Sequence, residues 1–312
     1  MRTLYLDCFS GISGDMFIGA LIDAGGDSTL LEEELQKLNI SEEYKLSWRK
    51  VVKNGISSTK FDVELSETAD HKYDDGHQHN HKHEDVDHNH EHEHSDYHHK
   101  DHHHEHEHSD HHYKDHHHEH EHSDHHHKHE HSDHHEHSHH HSHRAYQDIV
   151  KLIDGSQLSQ EVKETSLNIF KKIGEAEGLI HGISLEKVHF HEVGAVDSII
   201  DIVGASILIN KLEIQKIKSS PVCVGAGKVH IDHGIYPIPA PATLEILKGV
   251  PLQQSNIKSE LTTPTGAAIV SVLSEEFCTV PSMTVQSVGY GAGTKDFEKH
   301  PNVLRVIIGE EN

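Results

Sequence analysis

The chain has 312 residues, with 27 Lys and Arg against 52 Asp and Glu, for a formal net charge of −25. So acidic a chain is a poor partner for nucleic acid and a good collector of cations. Its three cysteines, Cys8, Cys223 and Cys278, include no CxxC pair and argue against a disulfide framework or zinc ribbon. The apolar run in MRTLYLDCFSGISGD is too short for a signal peptide or a membrane span, so a cytoplasmic protein with no membrane partner is expected.

Thr3-Leu4-Tyr5-Leu6 predicts a short buried strand ending at Asp7. A loop, Cys8-Phe9-Ser10-Gly11-Ile12-Ser13-Gly14, leads into a helix, MFIGALIDAG, that stops at Gly25-Gly26. A second helix is predicted over residues 30–38. Residues 45–52 and 57–65 read as paired strands joined across Asn54-Gly55, a strong hairpin signal.

Residues 71–143 then interrupt the pattern. They hold 35 of the 41 histidines and contribute −14 of the −25 charges. A 14-residue repeat runs through them: HSDYHHKDHHHEHE from His94 to Glu107, then HSDHHYKDHHHEHE from His108 to Glu121. The stretch is too polar to bury itself and is expected to be disordered until it binds something. Neutral imidazole suits Ni, Zn, Cu and Fe, so runs such as His102-His103-His104, His116-His117-His118 and His139-His140-His141 are expected metal ligands. The domain reading is residues 1–70 as the first part of a core, 71–143 as a metal-binding insertion and 144–312 as the rest of the core.

Beyond the insertion, YQDIVKLID and residues 161–177 carry helical periodicity, the latter through Val162, Leu167, Phe170 and Ile173. Residues 188–194, VHFHEVG, read as a strand and a turn. Residues 197–212 predict a helix apolar almost all round, hence buried. Strands are expected at 216–224 and 228–231, around Gly225-Ala226-Gly227. Tyr236-Pro237-Ile238-Pro239-Ala240-Pro241 predicts a rigid extended segment feeding a helix at 242–247. The loop Leu261-Thr262-Thr263-Pro264-Thr265-Gly266 should open a helix reaching about residue 273. Strands at 283–288 and 303–308 flank an expected glycine-rich loop, Gly289-Tyr290-Gly291-Ala292-Gly293. Alternating strands and helices place the chain in the α/β or α+β class, a mixed sheet with packed helices.

Two constellations point to chemistry. Asp7 at a strand end faces Asp15 in a first helical turn across a loop with Ser10 and Ser13, where open α/β sheets hold ligands. The plainer alternative is that Asp15 complements the helix dipole and Asp7 caps a turn. His189 and His191, two apart on a strand, would share a face and ligate one metal with Asp197 or Glu192 nearby. Otherwise they are partly exposed strand residues, with Asp197 an N-cap. Asp201 shares a helical face with Asp197 amid isoleucines, where a buried carboxylate needs a partner. Thr262, Thr263 and Thr265 could offer hydroxyls and N–H groups to an anion. Cys8 reads as a buried thiol or a soft ligand, and His230 with His233 as a further possible pair.

Five motifs in chain order resemble the LarC family, the nickel insertion proteins of lactate racemase maturation. They are residues 6–16 (LDCFSGISGDM), 188–197 (VHFHEVGAVD), 237–243 (PIPAPAT), 261–266 (LTTPTG) and 289–293 (GYGAG). An internal His-rich insertion at this place is also like that family. The resemblance implies a CTP-dependent nickel chelatase, of the lyase class. It would insert Ni(II) into pyridinium-3,5-bisthiocarboxylic acid mononucleotide. It also implies a further C-terminal domain that binds CTP with a divalent metal. This chain is therefore expected to be an N-terminal portion, either the product of a split gene working with a separate C-terminal portion or a fragment of a longer chain, alongside other lactate racemase maturation proteins. Removing the pyridinium C4 proton calls for a base, with Asp7, Asp15, Glu192 and Asp201 as candidates. The alternatives are a nickel or zinc storage protein without activity, suggested by the histidines alone, and a metal-dependent hydrolase built on Asp7, Asp15, His189 and His191.

Overall fold

A computed structural model describes residues 1–66, 144–190, 193–231 and 233–311. The expected insertion at 71–143, with its candidate ligands, and His191 and Glu192 lie outside the described residues.

An interior strand of the sheet is β1 (Arg2–Asp7), buried over Thr3 to Leu6. The hairpin predicted across Asn54-Gly55 forms as β2 (Tyr44–Lys53) and β3 (Ile56–Leu65), antiparallel, with both turn residues at positive φ. Later strands are β4 (Lys216–Ser219), β5 (Val222–Cys223), β6 (Lys228–Ile231), β7 (Gly234–Pro237), β8 (Leu252–Gln253), β9 (Glu276–Phe277), β10 (Met283–Ala292) and β11 (Val303–Glu311). Seven of these make one mixed sheet in the order β2-β3-β10-β11-β1-β4-β9. Chain from before and after residues 67–143 therefore builds the same sheet. β1 pairs antiparallel with β11 and parallel with β4; β5 pairs with β8, and β6 with β7, apart from it.

The helices are α1 (Gly14–Asp23), α2 (Ser28–Leu35), α3 (Tyr146–Asp154), α4 (Gln160–His181), α5 (Val196–Lys211), α6 (Pro241–Ile246) and α7 (Pro264–Leu273). Asp27 caps α2 by accepting from the Thr29 and Leu30 N–H groups, and a 3-10 turn at Gln36–Leu38 carries the helix to Asn39. Helix α1 lies on β3, β10 and β11, α5 packs on α1, and α4 covers α5, α6 and α7. The shared core includes Phe17, Ile18 and Leu21 of α1 with Ile199, Ile200 and Val203 of α5, all fully buried. Each such side chain contributes about 1.5–3 kcal/mol relative to exposure.

Three expectations are corrected. Gly289 to Ala292 are not a loop but the last residues of β10. Glycine is required there by the close approach of α1: a Cβ on Gly291 would stand 1.7 Å from the Met16 carbonyl oxygen, and one on Gly289 2.1 Å from that of Ala20. Of the residues expected as a strand at 188–194, the described Val188, His189 and Phe190 do not form one. His189 makes a single bridge to Ala145, and the alternation arises because Val188 and Phe190 enter the core while His189 faces solvent. The strand expected at 216–224 breaks at Ser220-Pro221, so β4 stays in the main sheet and β5 leaves it for β8.

Candidate functional site

Two loops set the site by being sewn together. The Ile12 carbonyl accepts from the Thr263 N–H at 3.1 Å, and Ile12 bridges Thr262. The contact admits no side chain at Gly11, which has φ +79° and whose Cβ would stand 2.0 Å from the Leu261 carbonyl oxygen. Nor does it admit one at Gly266, where a Cβ would meet the Ile12 carbonyl oxygen at 2.0 Å. The starts of α1 and α7 are thus fixed side by side.

A cavity of about 390 Å³ opens there, and the first turn of α5 also borders it. Three helix N-termini therefore face one space. Their first N–H groups lack helical partners and carry partial positive charge. At α7, Thr263 caps the end by accepting from the Gly266 N–H at 3.2 Å, with Pro264 at the first helical position. Helices α1 and α5 have no side-chain cap at Ser13 and Ala195. Instead Asp15 and Asp197 sit in their first turns. The Ser13 hydroxyl donates to Asp15 Oδ1, and Asp197 Oδ1 accepts from the Ser198 N–H at 2.7 Å. Asp197 is therefore not the N-cap, which is Ala195.

Lys60 reaches into this cavity from β3. Its side chain is only 7% exposed, with Nζ 2.5 Å from Asp15 Oδ2 and 3.0 Å from Asp62 Oδ1. Nζ also donates to the Phe61 carbonyl at 2.9 Å. Burial pulls the ammonium's pKa down, but the charge and hydrogen bond of Asp15, then those of Asp62, outweigh it and leave it raised. Lys60 is a fixed cation.

Asp201 stands one helical turn below Asp197 on the same face of α5, as the four-residue spacing implied, and both line the cavity. Its Oδ1 is sealed from solvent without a hydrogen-bond partner among the described residues. Burial, then the negative charges of Asp15 and Asp197, push its carboxyl well above the ordinary carboxylate range; Lys60 and the Asp15 N–H pull weakly the other way. The cavity thus holds a buried acid with a raised pKa, Asp201, beside Asp15, Asp62, Asp197 and Glu260 and a fixed cation.

The remaining candidates lie elsewhere. Asp7, at the end of β1, accepts from Arg305 Nε at 2.8 Å across the β1–β11 pair and does not line the cavity. Ser10 is fully buried and its hydroxyl has no partner among the described residues. Thr262 is fully buried and donates to the Cys223 carbonyl at 2.8 Å, whereas Thr263 and Thr265 border the cavity. His189 is exposed and outside the cavity lining. Cys8 is fully buried, and burial pushes its thiol up to about 12, so it is an inert core thiol. His233 meets His181 of α4, with ring centroids 5.1 Å apart, while His230 is exposed on β6. Sequence reasoning missed Lys60 and Asp62, and Glu260 and Thr294 on the cavity wall. No sequence signal marks Lys60: it lies in a run of four buried strand residues, Ser58 to Phe61, whose residue types do not show that burial.

Comparison with known proteins gives the geometry a context. The chain is 45% identical over 311 residues to a protein of Geobacillus kaustophilus (strain HTA426) named pyridinium-3,5-bisthiocarboxylic acid mononucleotide nickel insertion protein, covering 100% of this chain and 60% of the relative. It is 46% identical to the protein of the same name from Clostridium acetobutylicum, covering 100% of this chain and 64% of the relative. It is 42% identical to that of Clostridium kluyveri, with 100% and 63% covered. The chain thus spans less than two thirds of the length of these relatives. No solved structure matches it. The family described as "Nickel insertion protein" matches residues 4–312, essentially every residue of the sheet and helices described above, and the chain belongs to that family.

Proposed function

We propose that this chain inserts Ni(II) into pyridinium-3,5-bisthiocarboxylic acid mononucleotide, as part of a CTP-dependent nickel chelatase that matures the cofactor of lactate racemase. The observation that carries the reading is the cavity itself. In a nickel insertion family chain, three helix N-termini, Lys60 and the five carboxyl side chains of Asp15, Asp62, Asp197, Asp201 and Glu260 border one space.

The chemistry fits the substrate named for the relatives. A mononucleotide brings a phosphate and two thiocarboxylates, all anionic. The starts of α7 and α5, with Lys60 behind them, favour negative charge. Ni(II) itself is drawn by Asp15, Asp197 and Asp201, whose weak oxygen ligation lets the softer sulfurs take it. Bonding nickel to pyridinium C4 breaks the C4–H bond; its electron pair goes to the metal and its proton to a base. Asp201 is the best-placed base, because Asp15 is already held by Lys60 and Ser13. A carboxylate whose pKa is raised accepts a proton more readily once ionised. Arrival of a divalent cation would supply that ionisation, since it favours the charged form. CTP with its divalent metal is assigned in this proposal to a separate C-terminal portion, and the histidines of residues 71–143 to gathering nickel.

The test is reconstitution. The full chain is supplied with Ni(II), the dithio precursor, CTP and a C-terminal portion from a longer relative. Mass spectrometry should find the precursor plus nickel, less the displaced protons. No nickel-containing product, with nickel merely retained on the chain, would favour a storage protein instead.

A further inference from the structure

A second cavity, of about 230 Å³, lies between the C-terminal end of α4, the β6–β7 turn and the start of α6. It is lined by Glu177, His181 and His233, over an apolar wall that includes Tyr236 and Pro241. None of the chemistry above uses these three donors.

Their spacing is informative. Two imidazoles bound cis to one metal, at nitrogen–metal distances of about 2.0–2.1 Å, have ring centroids about 4.5–5.2 Å apart. The His181 and His233 centroids are 5.1 Å apart at 66°. A carboxylate oxygen and an imidazole nitrogen bound cis at similar distances stand about 2.9–3.4 Å apart. His181 Nε2 and Glu177 Oε2 are 3.3 Å apart, longer than a strong charge-assisted hydrogen bond but at that ligand spacing. Glu177 and His181 are four residues apart on α4, so one helical face presents both, and His233 comes from the opposite side on a turn closed by Gly234 at φ +122°. Among the described residues no three such donors already form a metal-ligand set, so binding needs rearrangement of the side chains, of which His233 is exposed.

We propose that Glu177, His181 and His233 form a binding site for one divalent transition-metal ion, distinct from the carboxylate cavity. Two imidazoles and a carboxylate select borderline cations such as Ni(II), Co(II) and Zn(II) over Mg(II) or Ca(II). Pro264 lines both cavities. If the nickel-insertion reading holds, the ion would therefore wait beside the place of insertion; that role rests on the reading, the binding site does not.

The test must see these residues past the many histidines of residues 71–143. Diethyl pyrocarbonate modifies accessible imidazoles, and peptide mass spectrometry reads each position in the full chain separately. With Ni(II) buffered at about tenfold its dissociation constant, modification of His181 and His233 should slow together by about tenfold, while the exposed His230 reacts as before. In His181→Ala, and in Glu177→Ala, protection of His233 should require about tenfold more Ni(II) or disappear, and Mg(II) should protect neither residue. Unchanged rates at His181 and His233, equal protection of His230, or full protection of His233 in His181→Ala would each overturn the proposal. Because the footprint needs neither CTP nor precursor, its failure is separable from failure of the insertion assay.

Discussion

The Asp201 carboxylate lies directly over Gly14: a Cβ built on Gly14 would stand 2.4 Å from Asp201 Oδ2 and 2.5 Å from Asp201 Cβ. This contact locks the first turn of α1 against α5 and brings two of the three helix N-termini together. Gly14→Ala should therefore force α1 and α5 apart, costing about 1–3 kcal/mol in urea unfolding. It should also reduce nickel insertion. A variant as stable as the parent would mean that the two helices are not in this contact.

The protonation of Asp201 makes a pH prediction with a definite sign. Its carboxyl is raised in the folded chain, first by burial and then by Asp15 and Asp197. A raised pKa contributes stability that is fully present below the unfolded value near pH 4 and is lost as pH rises through the folded value. Asp201→Asn removes the ionisation while keeping the shape. The variant should gain stability over the parent at pH 8 and match it at pH 4, by denaturation at both pH values. Equal stability differences at the two pH values would contradict the buried, protonatable state.

Lys60 should behave oppositely to an ordinary surface lysine. Lys60→Met strands Asp15 and Asp62 beside Asp201. Breaking a buried pair costs about 3–5 kcal/mol, but Asp15 and Asp62 are 25% and 28% exposed, so a loss of about 2 kcal/mol is expected. For Asp62, burial raises the carboxyl but the bonds and charges of Lys60 and Arg49 hold it below the usual range. Its contribution is therefore present above the unfolded pKa and lost as pH falls through the folded one. The stability gap between parent and Lys60→Met should narrow below about pH 4; a gap independent of pH would remove the ion pair from the account.

These residues also show what can be read from sequence and what cannot. Asp197 and Asp201 were legible as a pair, because a four-residue spacing within an apolar helix fixes a common face. The Asn54-Gly55 hairpin was legible because few sequences tolerate two successive positive φ values. Lys60 was not, since a lysine in a strand reads as solvent-facing unless its partners are known, and Asp15 is 45 residues away in sequence. Gly289 and Gly291 misled for a related reason. A glycine run suggests a turn, whereas here the missing side chains make room for α1, a fact about tertiary contact. His189 resembled a strand ligand because core burial of Val188 and Phe190 imitates strand alternation.

The Asp7–Arg305 pair gives a prediction about scaffold rather than chemistry. Arg305 is 38% exposed, so the pair is worth about 1 kcal/mol at most. Asp7→Asn should lower stability by that amount, measured in urea, and leave nickel insertion within about threefold. A hundredfold loss of insertion with unchanged stability would return Asp7 to the reacting centre.

The most direct test of the carboxylate cavity as the place of insertion sets two full reconstitutions side by side, Asp201→Asn and a deletion of residues 71–143, each at saturating Ni(II) and read as nickel-containing product by mass spectrometry. Losing a general base should slow Asp201→Asn by about 100-fold or more, while the deletion keeps near-parental activity and loses most of its nickel-binding capacity. An active Asp201→Asn beside an inactive deletion would place the chemistry in the histidines and contradict the account.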